Sequence, residues 1–143
     1  MLMDRTGLFS DAQAVTASAA STNIVDLGAT GTPYGASAPL RRDVGKGTDV
    51  PLTVNVVETF NNLTSLTIEV QTDDNPAFST PTTVYRSPAY TLGQAAVGAR
   101  YLLPDTIPVG TDERYMRLFY TVAGTTPTTG KITAGTTFAR QSN

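Results

Sequence analysis

Histidine and cysteine are both absent from the 143-residue chain. Without histidine the commonest general base near neutral pH is missing, along with the usual zinc ligand and every Ser–His or Cys–His nucleophile pair. Without cysteine there is no disulfide framework, no thiolate nucleophile and no cysteine-based zinc site. Tryptophan, a frequent platform for sugar stacking, is missing as well. Charge is sparse: Asp, Glu, Lys and Arg make up 15% of the chain, against a usual share of about a quarter. The formal net charge of −2 gives no electrostatic case for gripping a phosphate backbone or an anionic membrane. The opening MLMDRTGLFSD carries Asp4 and Arg5 where a signal peptide needs an apolar core, and no apolar run approaches transmembrane length. These exclusions predict a soluble protein assembled in a cytoplasm. They predict no catalytic, cofactor or metal site, no enzymatic activity, and no nucleic-acid or membrane partner.

What is present is alternation. In residues 65–72, SLTIEVQT, Leu66, Ile68 and Val70 alternate with Thr67, Glu69 and Gln71. In residues 115–122, YMRLFYTV, Met116, Leu118, Tyr120 and Val122 alternate with Tyr115, Arg117, Phe119 and Thr121. A period of two is what a half-buried strand requires, because successive side chains point to opposite faces of a sheet. Both runs are rich in β-branched and aromatic residues, which suit a pleated surface. Residues 51–59, PLTVNVVET, repeat the pattern with Leu52, Val54 and Val56 inward. A closing strand over 131–140 puts Ile132, Ala134, Thr136 and Phe138 on one face. Leu52, Val54, Val56, Leu66, Ile68, Val70, Leu118, Tyr120, Ile132 and Phe138 are the expected core.

Shorter strands are expected at 23–27, 83–87, 90–92 and 98–103, and 8–15 reads as a first strand or, at DAQAV, as the start of a helical turn. Between them lie turn formers: Asn61-Asn62, the DDNPAFSTPT stretch at 73–82 with Phe78 as its anchor, and GTTPTTG at 124–130 as a hairpin loop. Residues 16–22, TASAAST, read as a connector. Eight or nine short antiparallel strands with regular turn signals and no convincing helix predict a single all-β domain over 1–143, a jelly roll or β-sandwich. One segment breaks the rhythm. Residues 29–49 carry Gly31, Pro33, Gly35, Pro39, Gly45 and Gly47 and form a long irregular loop. A structureless loop of about 20 residues in a compact domain is usually functional or mobile.

The chemistry-bearing candidates are few. Asp73, Asp74 and Asn75 lack the spaced acids, Gly and terminal Glu of a calcium loop, and an Asx turn explains them better. Asp105, Asp112 and Glu113 are loop carboxylates with nothing to set a glycosidase separation. Asn62-Leu63-Thr64 fits a glycosylation acceptor with no secretory signal to give it meaning. The glycines of 28–47 lack the Gly-Lys-Ser/Thr ending of a phosphate loop and lead into no helix. Two features point to a partner. Arg41, Arg42 and Lys46 form a basic group on an acidic protein, which reads either as a docking patch for an acidic surface or as a solvated loop. Phe119 points to the opposite face of its strand from Leu118 and Tyr120, so either a second sheet or partner covers it or it is a tolerated exposed aromatic, and coverage is the expectation.

A resemblance organises these readings. Residues 9–16, FSDAQAVT, followed by 21–28, STNIVDLG, resemble the start of the Bbp16-type capsid cement proteins of tailed bacteriophages. The similarity continues through 70–74, VQTDD, 78–83, FSTPTT, 114–122, RYMRLFYTV, and 130–135, GKITAG. The loop at 29–49 is longer than the resemblance leads one to expect. It implies a jelly-roll protein that binds as a homodimer on the outside of an icosahedral head and ties neighbouring major capsid proteins together. The expected location is therefore the outer surface of a virion. A carbohydrate-binding β-sandwich, a surface adhesin, is the alternative, with Tyr34, Tyr85, Tyr90 and Tyr101 as the aromatic platform.

Overall fold

The computed structural model describes residues 2–99 and 104–138. They form nine strands: β1 (Met3–Ala14), β2 (Ala19–Ala20), β3 (Val25–Asp26), β4 (Leu52–Glu58), β5 (Leu63–Asp73), β6 (Thr82–Arg86), β7 (Tyr90–Thr91), β8 (Tyr115–Gly124) and β9 (Lys131–Thr137). All pairings are antiparallel. The smaller sheet has the order β1-β9-β4, and the larger β2-β8-β5-β6, with β3 also on β8 and β7 also on β5. Two sheets facing one hydrophobic cluster make an all-β sandwich.

The two most strongly alternating runs become the central pair of the larger sheet. Leu66 stands opposite Val122, Ile68 opposite Tyr120, Val70 opposite Leu118 and Thr72 opposite Met116. Directly opposed apolar pairs are the unit that stabilises a sheet, and all of these except the half-buried Val122 are buried. Across the core, Val54 pairs with Ala134 and Val56 with Ile132 in the smaller sheet. Each fully buried Val, Leu or Ile contributes roughly 1.5–3 kcal/mol by leaving water. A buried polar bond crosses this apolar layer. The hydroxyls of Ser10 on β1 and Tyr120 on β8 are 2.8 Å apart. Ser10 Oγ donates to Gln13 Oε1 at 2.7 Å, so Tyr120 is the donor to Ser10. Burial pushes the Tyr120 phenol well above its ordinary pKa and keeps that donor protonated.

Several sequence expectations change. The stretch at 124–130 is not a hairpin: β8 and β9 lie in different sheets, so it arches from one sheet to the other. Asn62 lies in the same kind of arch, between β4 and β5, with a left-handed φ of 63° that Asn tolerates. Phe138 is not core; it is 73% exposed. Burial along β9 changes phase where Ala134 and Gly135 are both covered, because β1 crosses so closely at Gly135 that a side chain there would meet the Gly7 carbonyl. Phe138 therefore falls on the outward phase. β1 starts at Met3, earlier than expected, and slips register three times against β9. The connector at 16–22 contributes β2 to the sheet. Of the strand expected at 98–103, residues 100–103 lie outside the described residues, and Gly98 and Ala99 are not in a strand. Ala99 and Asp105 nevertheless accept backbone hydrogen bonds from Val56 and Leu52 on the outer edge of β4, and Ala95 accepts one from Phe60 just beyond it.

Candidate functional site

β3 ends, β6 and β8 begin and β5 ends at the same end of the sandwich, as the pairs Asp26–Tyr115, Asp73–Tyr115 and Thr72–Thr82 require. The connections 27–51, 74–81 and 108–114 meet there. Several of their polar side chains bond one another's backbones. Arg42 donates from Nη1 to the Leu27 carbonyl at 2.6 Å and from Nη2 to the Gly28 carbonyl at 2.9 Å. Asp43 accepts from the Gly45 amide at 3.0 Å and the Gly110 amide at 2.9 Å. The Val44 amide donates to Thr111 O at 3.0 Å. Gly45 lies so close to Pro108 that any side chain would collide with its carbonyl.

Around these feet sits a second set of ties. Arg114 grips Asp26 with Nε and Nη2 at 2.9 and 2.8 Å and lies 4.9 Å from the Tyr115 ring centre. The guanidinium of Arg114, helped by the Gly28 amide, holds the Asp26 carboxyl down to about 2. Asp73 accepts from the Asn75 and Thr80 amides at 2.8 and 2.9 Å, and the Asn75 bond lowers its pKa. That is the Asx turn read from the sequence, and it folds the 74–81 loop back so that Phe78 is buried.

Between the feet, residues 31–41 project. All eleven are exposed. The Ala36 amide donates to Pro33 O and the Leu40 amide to Gly31 O, each at 3.0 Å, which gives the excursion a turn at its tip and a closed neck. Tyr34 is fully exposed at the tip, and Leu40 is exposed at the neck.

The expected partner residues fall in two places. Arg41 and Lys46 are exposed on this loop. Arg42 belongs to the protein's own architecture, since its guanidinium is engaged by two carbonyls. Phe119 is elsewhere, half-buried on the outer face of the larger sheet between Ala20 and Glu69. Its cover includes this chain's own Arg117, whose guanidinium carbon is 4.2 Å from the Phe78 ring centre and 5.7 Å from that of Phe119. Arg117 Nε in turn donates to Gln71, Gln71 to Glu69, and Glu69 pairs with Arg86 at 2.8 Å. The exposed apolar residues Leu2, Leu40 and Val109 carried no sequence signal, because none belongs to a periodic run that would define a face.

The tyrosines do not form one platform. Tyr34 is exposed on the loop, whereas Tyr85 and Tyr90 pack against the core, and Tyr101 lies outside the described residues. An open cleft of about 1110 Å³ runs along β1, between Asp4, Arg5 and Leu8 and the stretch with Thr22, Ile24 and Asp26. The Thr6 amide donates to Asp4 Oδ1 in an Asx turn, and the bulged strand there is a poor template for adding another strand. Among the described residues no group of three or more His, Cys, Asp or Glu could hold a metal ion. Nor is any helix long and apolar enough to cross a membrane.

The family model described as Bbp16 matches residues 9–136, from the middle of β1 to the end of β9. No curated protein matches the chain.

Proposed function

We propose, because this chain belongs to the phage-associated Bbp16 family, that this phage structural protein is a head decoration (cement) protein. It binds the outer surface of the capsid and ties neighbouring major capsid proteins together against the pressure of packaged DNA. The observation that carries the reading is the family match across both sheets. The architecture supports it: a rigid sandwich holds long connections in fixed positions at one end, as binding scaffolds do. Attachment is multivalent, through a homodimer whose second contact becomes effectively intramolecular once the first is made.

The test is direct. Purified protein added to emptied heads lacking it should give new density on the outside of the shell, at joints between capsid subunits. Those heads should also survive a higher temperature. Sedimentation of the free protein at micromolar concentration should give twice the chain mass. Density inside the head or at the tail, or no binding at all, would overturn the decoration reading. A strict monomer would remove the avidity and leave the capsid role standing.

A further inference from the structure

We infer that residues 31–41 are a preformed docking finger whose Tyr34 ring inserts into an apolar pocket of the shell protein, with Arg41 and Lys46 meeting carboxylates at the pocket rim. The inference rests on the decoration reading and names the surface and partner chemistry for it. It differs from a loose basic strap in two respects: the feet are fixed, and the anchor is aromatic.

The fixed feet follow from geometry. The incoming strand of the loop ends in the Leu27 and Gly28 carbonyls, and Arg42, just past the outgoing strand, holds both at once. Asp43 and Val44 then bond the same foot to Gly110 and Thr111. The Leu40–Gly31 bond closes the neck above them. With Pro33 and Pro39 fixing φ at two more positions, much of the ordering cost of binding is met before a partner arrives, which is what preorganisation contributes to affinity.

The aromatic anchor follows from exposure. Tyr34, at the turn, is fully exposed, and Leu40 is 60% exposed. A ring of this size gains most from leaving water, and five named hydrogen bonds hold the loop while leaving that ring outside. Tyrosine is also among the residues that dominate binding when they fill a partner's pocket. The neighbouring charge selects the pocket's rim. Asp43 is consumed by two amides and Arg42 by two carbonyls, which leaves Arg41 and Lys46 exposed near the finger. An acidic rim on a protein fits them; a glycan would need further coplanar rings, and Tyr85 and Tyr90 are packed on the core.

Binding of wild type, Tyr34→Ala and Tyr34→Phe to emptied, decoration-free heads tests this at low and high salt. Tyr34→Ala should bind roughly tenfold or more weakly with an unchanged melting temperature, and Tyr34→Phe should restore most of the loss. Added salt should weaken all three by a similar modest factor, since exposed charges are screened. Hydroxyl-radical footprinting should show Tyr34 protected on heads and reactive in free protein. Equal affinity of wild type and Tyr34→Ala overturns the finger while the decoration reading survives. Failure of wild type to bind heads overturns both, and binding of wild type to a glycan array in its place assigns the ring to sugar.

Discussion

The two ends of the sandwich use the same kinds of residue for opposite purposes. At the end where β4 passes to β5 and β8 to β9, two arches are knotted together. Asn61 accepts from the Thr128 and Thr129 amides and donates to Thr128 Oγ1. Lys131 meets Glu58 at 2.6 Å, and Glu58 also takes the Gly130 amide. Phe60 fills the space beneath, so close to Gly130 that a side chain there would enter the ring. Phe60 and Pro127 are buried there, and the polar groups of the two arches bond one another. At the other end Arg42, Asp43, Asp26 and Arg114 are just as fully engaged, yet the loop they secure carries Tyr34 and Leu40 out into water. Polar ties close one end of the molecule and, at the other, hold a loop out into water.

The largest effect that tests this contrast is at the closed end. Phe60 is 2% exposed, and Phe60→Ala should cost about 3–5 kcal/mol, as other buried aromatic truncations do. Denaturant midpoints measure it, with the milder Phe60→Leu in reserve if the alanine variant does not fold. The folded fraction should still bind heads with wild-type affinity. A loss below about 1 kcal/mol would mean the arches are not what closes that end, since it falls well under the usual cost of such a truncation.

How much of this could be read from the chain depended on periodicity. β4, β5 and β8 and their inward residues were legible, because each repeats with period two long enough to define a face. So were the Asp73 turn and the Phe78 anchor, where local chemistry decides the conformation. Sheet membership was not legible. Gly, Thr and Pro at 124–130 serve a hairpin and an arch equally well, and only the match of β9 to β1 and β4 decides between them. Phe138 was misplaced by extending alternation past Gly135, where contact with β1 changes the phase of burial. Arg42 shows the limit for the site: the sequence displays a cation, but the two carbonyls that occupy it are fourteen and fifteen residues away.

A smaller effect separates holding from packing. Arg42→Ala should lower global stability by only about 1 kcal/mol, because the hydrogen bonds it loses are part-buried and its Nε is buried without a partner among the described residues. The local consequence should be larger than the global one. Chymotrypsin should cut after Tyr34 or Leu40 several-fold faster in the variant than in wild type, since the loop's feet are no longer tied. Unchanged cleavage would show that Asp43 and Val44 hold the loop unaided. The equivalent substitution at the closed end, Asn61→Ala, should leave cleavage at 31–41 untouched.

The smallest effect is a matter of protons. Asp26 is held down to about 2 from an ordinary 3.8, first by its hydrogen bonds to Arg114 and then by the Gly28 amide. A carboxylate whose pKa falls on folding contributes stability that is fully present above its unfolded pKa and is lost as pH drops through the folded value. The window is therefore from about pH 4 down to about pH 2. Asp26→Asn keeps the shape and one acceptor but has no charge to lose. Its melting temperature should lie slightly below wild type at neutral pH, and the gap should close as pH falls through that window. Glu58 at the other end is also held below its ordinary range by Lys131, but it is present in both proteins and cancels from this gap. Glu58→Gln supplies the matching measurement. A gap for Asp26→Asn that stays constant from pH 7 to pH 2 would mean that the Asp26–Arg114 pair acts through shape alone. A gap that closes in both variants would show that the two ends of the sandwich share one acid response, although only one of them holds out a loop.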